Sequence, residues 1–432
     1  MFPDGQRCLS FRYMRHFQCI AGDCEDTCCQ GWSVIVDRKS HDALQEALAG
    51  TPELLSRFDE PPVERLKVKD RRIHPEVHYA AFRMREDGLC VFFDEDRLCT
   101  LVRRFGDKLL GHDCATFPRR LHQVGAGRYE LMGLCSCPEV VRLLLLSPEA
   151  AELDEITTDL LQKRTHFMHL TLSPEVGDNL YFRRVESVTA ALMACMAMTV
   201  LPFARRMGLL LSLAERLDCC FSARGSGLSE ERLDGVLSDL LASAEEEAQG
   251  LSAGKAACAD DGGAVDSAFV LALMEKFMAA DAPWAELLER REPEEAWRLH
   301  QQSRDFWTAS HGARIDHYFT RFTQQALFSN KYTQVPRLGF YIKEWLIRCA
   351  LLRTLLFAQP GLMAFQQRVL LGEEGGVRGA ALLDREVVRV FHRFAKSTQH
   401  ALEFLHERRE WGLHDYWIES LTRHQLSWLQ MI

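Results

Sequence analysis

The sequence contains no run of roughly 18 apolar residues, the length at which a helix becomes a candidate for crossing a bilayer. The nearest stretch, from Ala191 to Ala204, is short and interrupted by Pro202, so it reads as a core helix. The opening residues MFPDGQRCLSFRYMRHFQC lack the continuous apolar segment of a secretory leader. Basic charge is not in excess either: 52 Lys and Arg stand against 61 Asp and Glu, a formal net charge of −9 at pH 7. A mildly acidic chain is poorly suited to coating nucleic acid or anionic lipid, so neither nucleic acid nor a membrane is expected as a partner. The Gly-x-Gly-x-x-Gly turn of a dinucleotide-binding fold is missing, since Gly125-Ala-Gly127 is a fragment of it without a strand–helix context. Wholesale disorder is excluded by 47% apolar and 26% charged residues. A soluble, cytoplasmic chain of about two to three domains is the expectation.

What is abundant is cysteine, and it is unevenly placed. Ten of the 15 Cys lie in the first 137 residues: Cys8, Cys19, Cys24, Cys28, Cys29, Cys90, Cys99, Cys114, Cys135 and Cys137. The remaining five are spread over the rest of the chain. In a reducing cytosol, clustered thiols hold a metal or do redox work more often than they form disulfides.

The periodicity changes close to the same boundary. Up to residue 147 the chain reads as a small, irregular, Cys-rich metal-binding module of short elements and loops, which a metal would cross-link. Residues 32–37 alternate as a short strand, with Trp32, Val34 and Val36 on one face, and Ser40 caps a helix through Leu48. From 148 to 432 the spacing predicts a helical body, so the fold class is mainly α. Pro138 suits the first turn of a helix towards Leu146. Further helices are predicted over 185–199, 203–217, 267–290, 293–304, 312–329, 337–358 and 384–408. Residues 244–266, rich in Gly, Ala and acid, read as a flexible linker. His392, Lys396, Gln399 and His400 mark a polar stripe expected to face solvent.

The segment C-I-A-G-D-C-E-D-T-C-C-Q-G-W, from Cys19, packs four thiols into a short loop. Soft donors of this kind suit iron–sulfur or zinc better than magnesium or calcium. Cys90, Cys99, Cys114 and Cys137 add the same ligand type on separate short elements. A cubane cluster or a tetrahedral zinc each needs four ligands. The supply exceeds one site, so either a second centre exists or some thiols are structural, and spacing alone does not select the four. The Cys-x-x-x-Cys-x-x-Cys spacing of radical enzymes is absent, because Cys24 is followed by Cys28 and Cys29. His16, His74, His78 and His112 are weaker ligand alternatives.

CIAGDCEDTCCQGWSVIVD, GLCVFFDEDRLCTLVRRFG, CATFPRR and CSCPEVVRLLL, in that order, resemble bacterial flagellin lysine-N-methylases of the FliB type. More loosely, they are similar to small Cys-rich domains that chelate zinc or iron. The resemblance covers residues 19–142 and departs from the usual pattern at Cys90-Val-Phe-Phe and at Cys135, while Cys8 lies outside it. It implies transfer of a methyl group from S-adenosylmethionine to lysine ε-amines of flagellin, aided by a [4Fe-4S] cluster. It carries over Cys19, Cys24, Cys28, Cys29, Cys90, Cys99, Cys114 and Cys137 as metal ligands without choosing among them. Near these thiols, Asp113 and Arg119 are candidate catalytic groups, and Asp37 and Glu139 candidate cofactor-binding groups. Asp37 as a helix cap and Glu139 as a helix N-terminal residue are their simpler roles. A non-enzymatic zinc-binding adaptor is the main alternative, and a metal-free thiol-redox protein a weaker one.

Overall fold

The computed structural model describes residues 7–30, 34–67, 75–76, 78–124, 128–157, 167–169, 181, 184–222, 234–239, 242–243, 245–246, 293–335, 337–372 and 377–399. The chain is mainly α and divides into two compact units, Met1–Leu143 with Glu152–Thr171, and Leu144–Ala151 with Leu172–Ile432. The boundary expected at 147 falls inside the short return Leu144–Ala151.

The first unit is more β-rich than the sequence suggested. Strands β1 (Arg7–Phe11), β5 (Arg119–Val124), β6 (Arg128–Gly133), β7 (Leu153–Thr157) and β8 (Phe167–His169) form one sheet in the order β7-β1-β6-β5-β8. β5 and β6 are an antiparallel pair, but β1 runs parallel to β6 and antiparallel to β7. Such pairing joins segments distant in the chain, and local alternation of side chains does not reveal it. Strands β2 (Ile35–Val36), β3 (Val63–Arg65) and β4 (Ala80–Phe82) form a second, antiparallel sheet in the order β2-β4-β3. Of the strand expected over 32–37, Trp32 and Ser33 lie outside the described residues, while Val34 and Val36 are buried.

Helix α1 (Arg38–Ala49) follows β2 and is capped by Asp37, not by Ser40. Asp37 Oδ1 accepts the Ser40 N–H at 2.9 Å, and its Oδ2 accepts the Ser40 hydroxyl at 2.6 Å, so Ser40 is the donor to the cap. Leu44 and Leu48 of α1 join Val34, Val36, Phe82, Phe92 and Leu101 in one buried apolar cluster. The short helices α2 (Pro52–Leu55), α3 (Thr100–Phe105) and α4 (His112–Thr116) surround it, with Leu54, Leu101 and Ala115 among its members. Helix α5 (Pro138–Leu146) starts at Pro138 as its missing N–H allows.

In the second unit, α6 (Val185–Ala197), α7 (Phe203–Ser222), α8 (Pro293–Phe328), α9 (Leu338–Phe357), α10 (Pro360–Leu370) and α11 (Val377–Gln399) pack around Trp307, Phe319, Leu352 and Phe391, all fully buried. The helices expected over 293–304 and 312–329 are one element bent at His311, whose φ of −137° and ψ of 22° are not helical. The sequence reading missed α10, which Pro360 opens at the first helical turn. Asp218 on α7 accepts the N–H groups of Leu338 and Gly339 at 2.9 and 2.8 Å and so caps α9 from a neighbouring helix. A Cβ on Gly339 would meet that carboxylate at 2.9 Å, so glycine is required there. The expected solvent-facing stripe on α11 is corrected at His392, which is 2% exposed and donates from Nδ1 to Val388 O at 3.1 Å. The helix expected over 267–290 and most of the predicted linker lie outside the described residues. Among the described residues no single helix is long and apolar enough to cross a membrane.

Candidate metal centre

The Cys19–Cys29 loop is shaped by its own backbone and tied down by arginines. Ala21 opens a single helical turn in the left-handed region, with φ of 52°, and its N–H donates to Cys19 Sγ at 3.4 Å. Arg97 donates to Cys24 O at 2.9 Å. Arg142 on α5 ion-pairs with Glu25 beside Cys24 and with Glu139 on its own helix, tying the loop to the helix that follows Cys137. Cys28 and Cys29 occupy a turn, so the opposed directions of an extended pair do not apply, and their thiols hydrogen-bond to each other.

The thiols sort into two sets by which of them feel one another. Cys29, Cys90 and Cys99 are mutually within electrostatic reach. The same holds for Cys19, Cys24 and Cys137. Cys28 stands between the sets, facing Cys29, Cys114 and Cys19. Burial pushes the Cys90 and Cys137 thiols up to about 12, and it raises Cys24 and Cys99 as well. Cys28, whose side chain is exposed, is raised first by its hydrogen bond with Cys29. Each set also has one thiol at a helix start. The N–H groups of Val140 and Glu139 oppose the rise at Cys137, and those of Val102 and Leu101 oppose it at Cys99. Without metal these groups are neutral thiols, and coordination would deprotonate them. Among the described residues no three His, Cys, Asp or Glu side chains are gathered tightly enough to hold a single ion as they stand.

Cys8 and Cys135 are buried, and the Cys8 thiol donates to Ile156 O at 3.5 Å within the sheet. Asp37 is the cap of α1, Glu139 pairs with Arg142, and the side chain of Asp113 lies outside the described residues. Arg119 is the polar candidate that stands with the thiols. Its guanidinium lies 4.9 Å from the ring centre of Phe17, faces Cys19 and Cys137, and is lowered from its ordinary pKa by burial. The register of β5 against β6 places it there, pairing Arg119 with Gly133 just ahead of the turn to Cys137. Arg142 went unnoticed in the sequence, although its position one turn after Glu139 is the spacing of a helical ion pair. Of the histidines, His16 is exposed, His78 is part-buried, and His74 and the His112 side chain lie outside the described residues. A cavity of about 350 Å³, open on one side, is lined by Arg38, Arg65, Leu66, Pro75, Glu76 and Tyr79, without a thiol among them.

The chain is 30% identical over 146 residues to a Lysine-N-methylase from Salmonella choleraesuis (strain SC-B67), a stretch that is 34% of each protein. A Lysine-N-methylase from Salmonella typhimurium is 29% identical over 146 residues, again 34% of each. The Flagellar biosynthetic protein FliU of Salmonella muenchen is 29% identical over 144 residues, which are 33% of this chain and 79% of that protein. The match spans about a third of the length of the lysine-N-methylases. No family model and no solved structure matches. Over that third of its length the chain is similar to the lysine-N-methylase (FliB) family.

Proposed function

We propose that the chain transfers a methyl group from S-adenosylmethionine to lysine ε-amines of flagellin, and that Cys19, Cys24, Cys28 and Cys137 hold a [4Fe-4S] cluster. The observation that carries this reading is the similarity to proteins named Lysine-N-methylase. The flagellar name of a third relative supports flagellin as the substrate. The donor set supports the cluster. It consists of soft thiols, with a backbone N–H directed at Cys19 Sγ, two more acting on Cys137, and the Arg119 cation opposite. Hydrogen bonds and nearby charge are the levers by which a protein tunes such a cluster. A bound cluster supplies electron storage and Lewis acidity.

The methyl transfer forms one N–C bond as the sulfonium C–S bond breaks, and sulfur keeps the electron pair. The amine needs its lone pair, so it must first lose a proton from an ordinary pKa near 10.4. Burial in an apolar pocket or a neighbouring base achieves that. Arg119 is not the base, because a guanidinium holds its proton; it is suited to bind a carboxylate of the cofactor or substrate. Its ring partner Phe17 is buried, and the cation–π contact restrains the guanidinium beside the thiols. The Arg142 bridge between Glu25 and Glu139 keeps the Cys24 segment next to α5.

Anaerobically purified protein, incubated with S-adenosylmethionine and flagellin, is the test. Mass spectrometry should find methyl groups on flagellin lysines, and Cys24→Ser and Cys137→Ser should abolish them. Unmodified flagellin with fully iron-loaded protein would overturn the proposal.

A further inference from the structure

We propose that the outer face of α11 is a docking surface for an acidic helix of another protein. This proposal does not depend on the methylase reading. Five cations, Arg378, Arg385, Arg389, Arg393 and Lys396, follow one another along α11 at intervals of seven, four, four and three residues. At about 100° of turn per residue they fall within an arc of about 80°, and at about 1.5 Å of rise the row is about 27 Å long. Arg378, Arg385 and Arg393 are exposed, while Arg389 and Lys396 are part-buried. The other side of the helix is core, with Leu383, Val387, Phe391 and Ala395 buried.

The acids of α11 leave most of this row uncompensated. Asp384 pairs with Arg314 of α8 at 2.6 Å, and Glu386 pairs with Arg389 at 2.5 Å. Arg385 and Arg393 have no ion pair among the described residues. Arg385 with Arg389, Arg389 with Arg393, and Arg393 with Lys396 are like-charge neighbours at the spacings that face each other on a helix. Such pairs cost helix stability, so the row is unfavourable for the isolated chain. A chain of formal net charge −9 has no surplus of basic residues either, and the row is a local concentration within an acidic molecule. Its members stand about 4.5–10.5 Å apart along the axis, close to the screening length of about 8 Å at physiological salt. Their fields therefore act together on one partner.

The chemistry of the face selects the partner. Guanidinium groups grip carboxylates through paired hydrogen bonds, and carboxylates recurring every three or four residues along a second helix match the intervals of the row. An apolar anchor lies at one end. Leu370 and Leu371, where α10 stops, are the most exposed large apolar side chains among the described residues, at 71% and 72%. Helix α10 packs on the start of α11, since a Cβ on Gly379 would meet the Phe365 ring at 3.2 Å. Chain length keeps Leu371 within about 21 Å of Val377, the first residue of α11. An apolar pair beside a charged row suits an amphipathic acidic helix. A membrane fits less well, because the apolar side that an interfacial helix would insert is occupied by the core. Nucleic acid also fits less well, because α11 exposes no aromatic ring for stacking on bases and the chain as a whole is acidic.

The test is fluorescence anisotropy on the full-length protein with a labelled helical peptide that carries glutamates at the intervals of the row and a leucine pair at one end. A second peptide of the same composition has its glutamates spread around the helix. The patterned peptide should bind at least tenfold more tightly than the second, and added salt should weaken it. Arg385→Glu combined with Arg393→Glu should cost at least tenfold in affinity. Leu370→Ser combined with Leu371→Ser should cost severalfold and leave the salt dependence unchanged. All four side chains are exposed, so these variants should melt with the unmodified chain. Should the charge-reversed variant melt early, Arg385→Gln with Arg393→Gln decides by the same comparison. No binding of the patterned peptide, equal binding of both peptides, or binding indifferent to the charge change would overturn the proposal. So would a DNA duplex or phosphatidylserine vesicles that bind more tightly than the patterned peptide and are lost in the charge-reversed variant.

Discussion

Arg119 is a half-buried cation stacked on Phe17 with no ion pair to a carboxylate among the described residues, and the groups it faces are Cys19 and Cys137. A charge at such a partly wet site is worth about 1–3 kcal/mol to thiolates within its electrostatic reach. Arg119→Glu should therefore weaken iron retention at least tenfold, measured by loss of iron to a chelator, whereas Arg119→Lys should keep most of it. Retention unchanged in Arg119→Glu would remove the residue from the account. The buried thiols set a second expectation. Burial raises Cys8 to about 11, and Cys90 and Cys137 to about 12, from an ordinary 9.0. Between pH 9 and 12 the folded metal-free chain thus binds more protons than the unfolded one, and its stability falls as pH rises through that window. The melting temperature of the metal-free chain should decline there, and that of the metal-loaded chain should decline less, because coordinated thiolates have no proton to lose. All the thiols of the two sets were legible in the sequence, since the residue type declares the chemistry. The place of Arg119 was not, because the strand pairing of Arg119 with Gly133 creates it.

At the scale of elements, helices with a clear apolar period were readable, as α7 illustrates with buried residues at helical spacing from Phe203 to Leu217, whereas α9 is buried on nearly every side from Trp345 to Phe357 and was readable as a long apolar stretch. The five-stranded sheet was not readable, because its central strand pairs in parallel with a segment far along the chain. Likewise α8 looked like two helices, for the residues around its bend at His311 interrupt the apolar pattern. The contact of α4 with β2 is an element-level feature that a single methyl group tests. Gly111→Ala places a Cβ at 2.9 Å from Ile35 O, a backbone atom that cannot swing away. The expected loss is about 1–3 kcal/mol, the usual penalty of overpacking, read from chemical denaturation. Unchanged stability would mean that α4 has room to retreat from the strand.

The whole molecule combines a thiol-rich unit of small sheets with a helical unit of larger core, and each holds its own buried residues. The sequence anticipated that division from the change in cysteine density, but not the return of Glu152–Thr171 to the first unit, which adds strands β7 and β8 to its sheet. Similarity to lysine-N-methylases covers a third of the chain, so activity has to be demonstrated on the complete protein. The most direct measurement is methyl transfer from S-adenosylmethionine to flagellin by one preparation in three states: as purified without oxygen, stripped of iron, and reconstituted with iron and sulfide. The account predicts transfer in the first state, its loss in the second and its return in the third. Transfer that survives the removal of iron, or that never occurs in fully loaded protein, would contradict it.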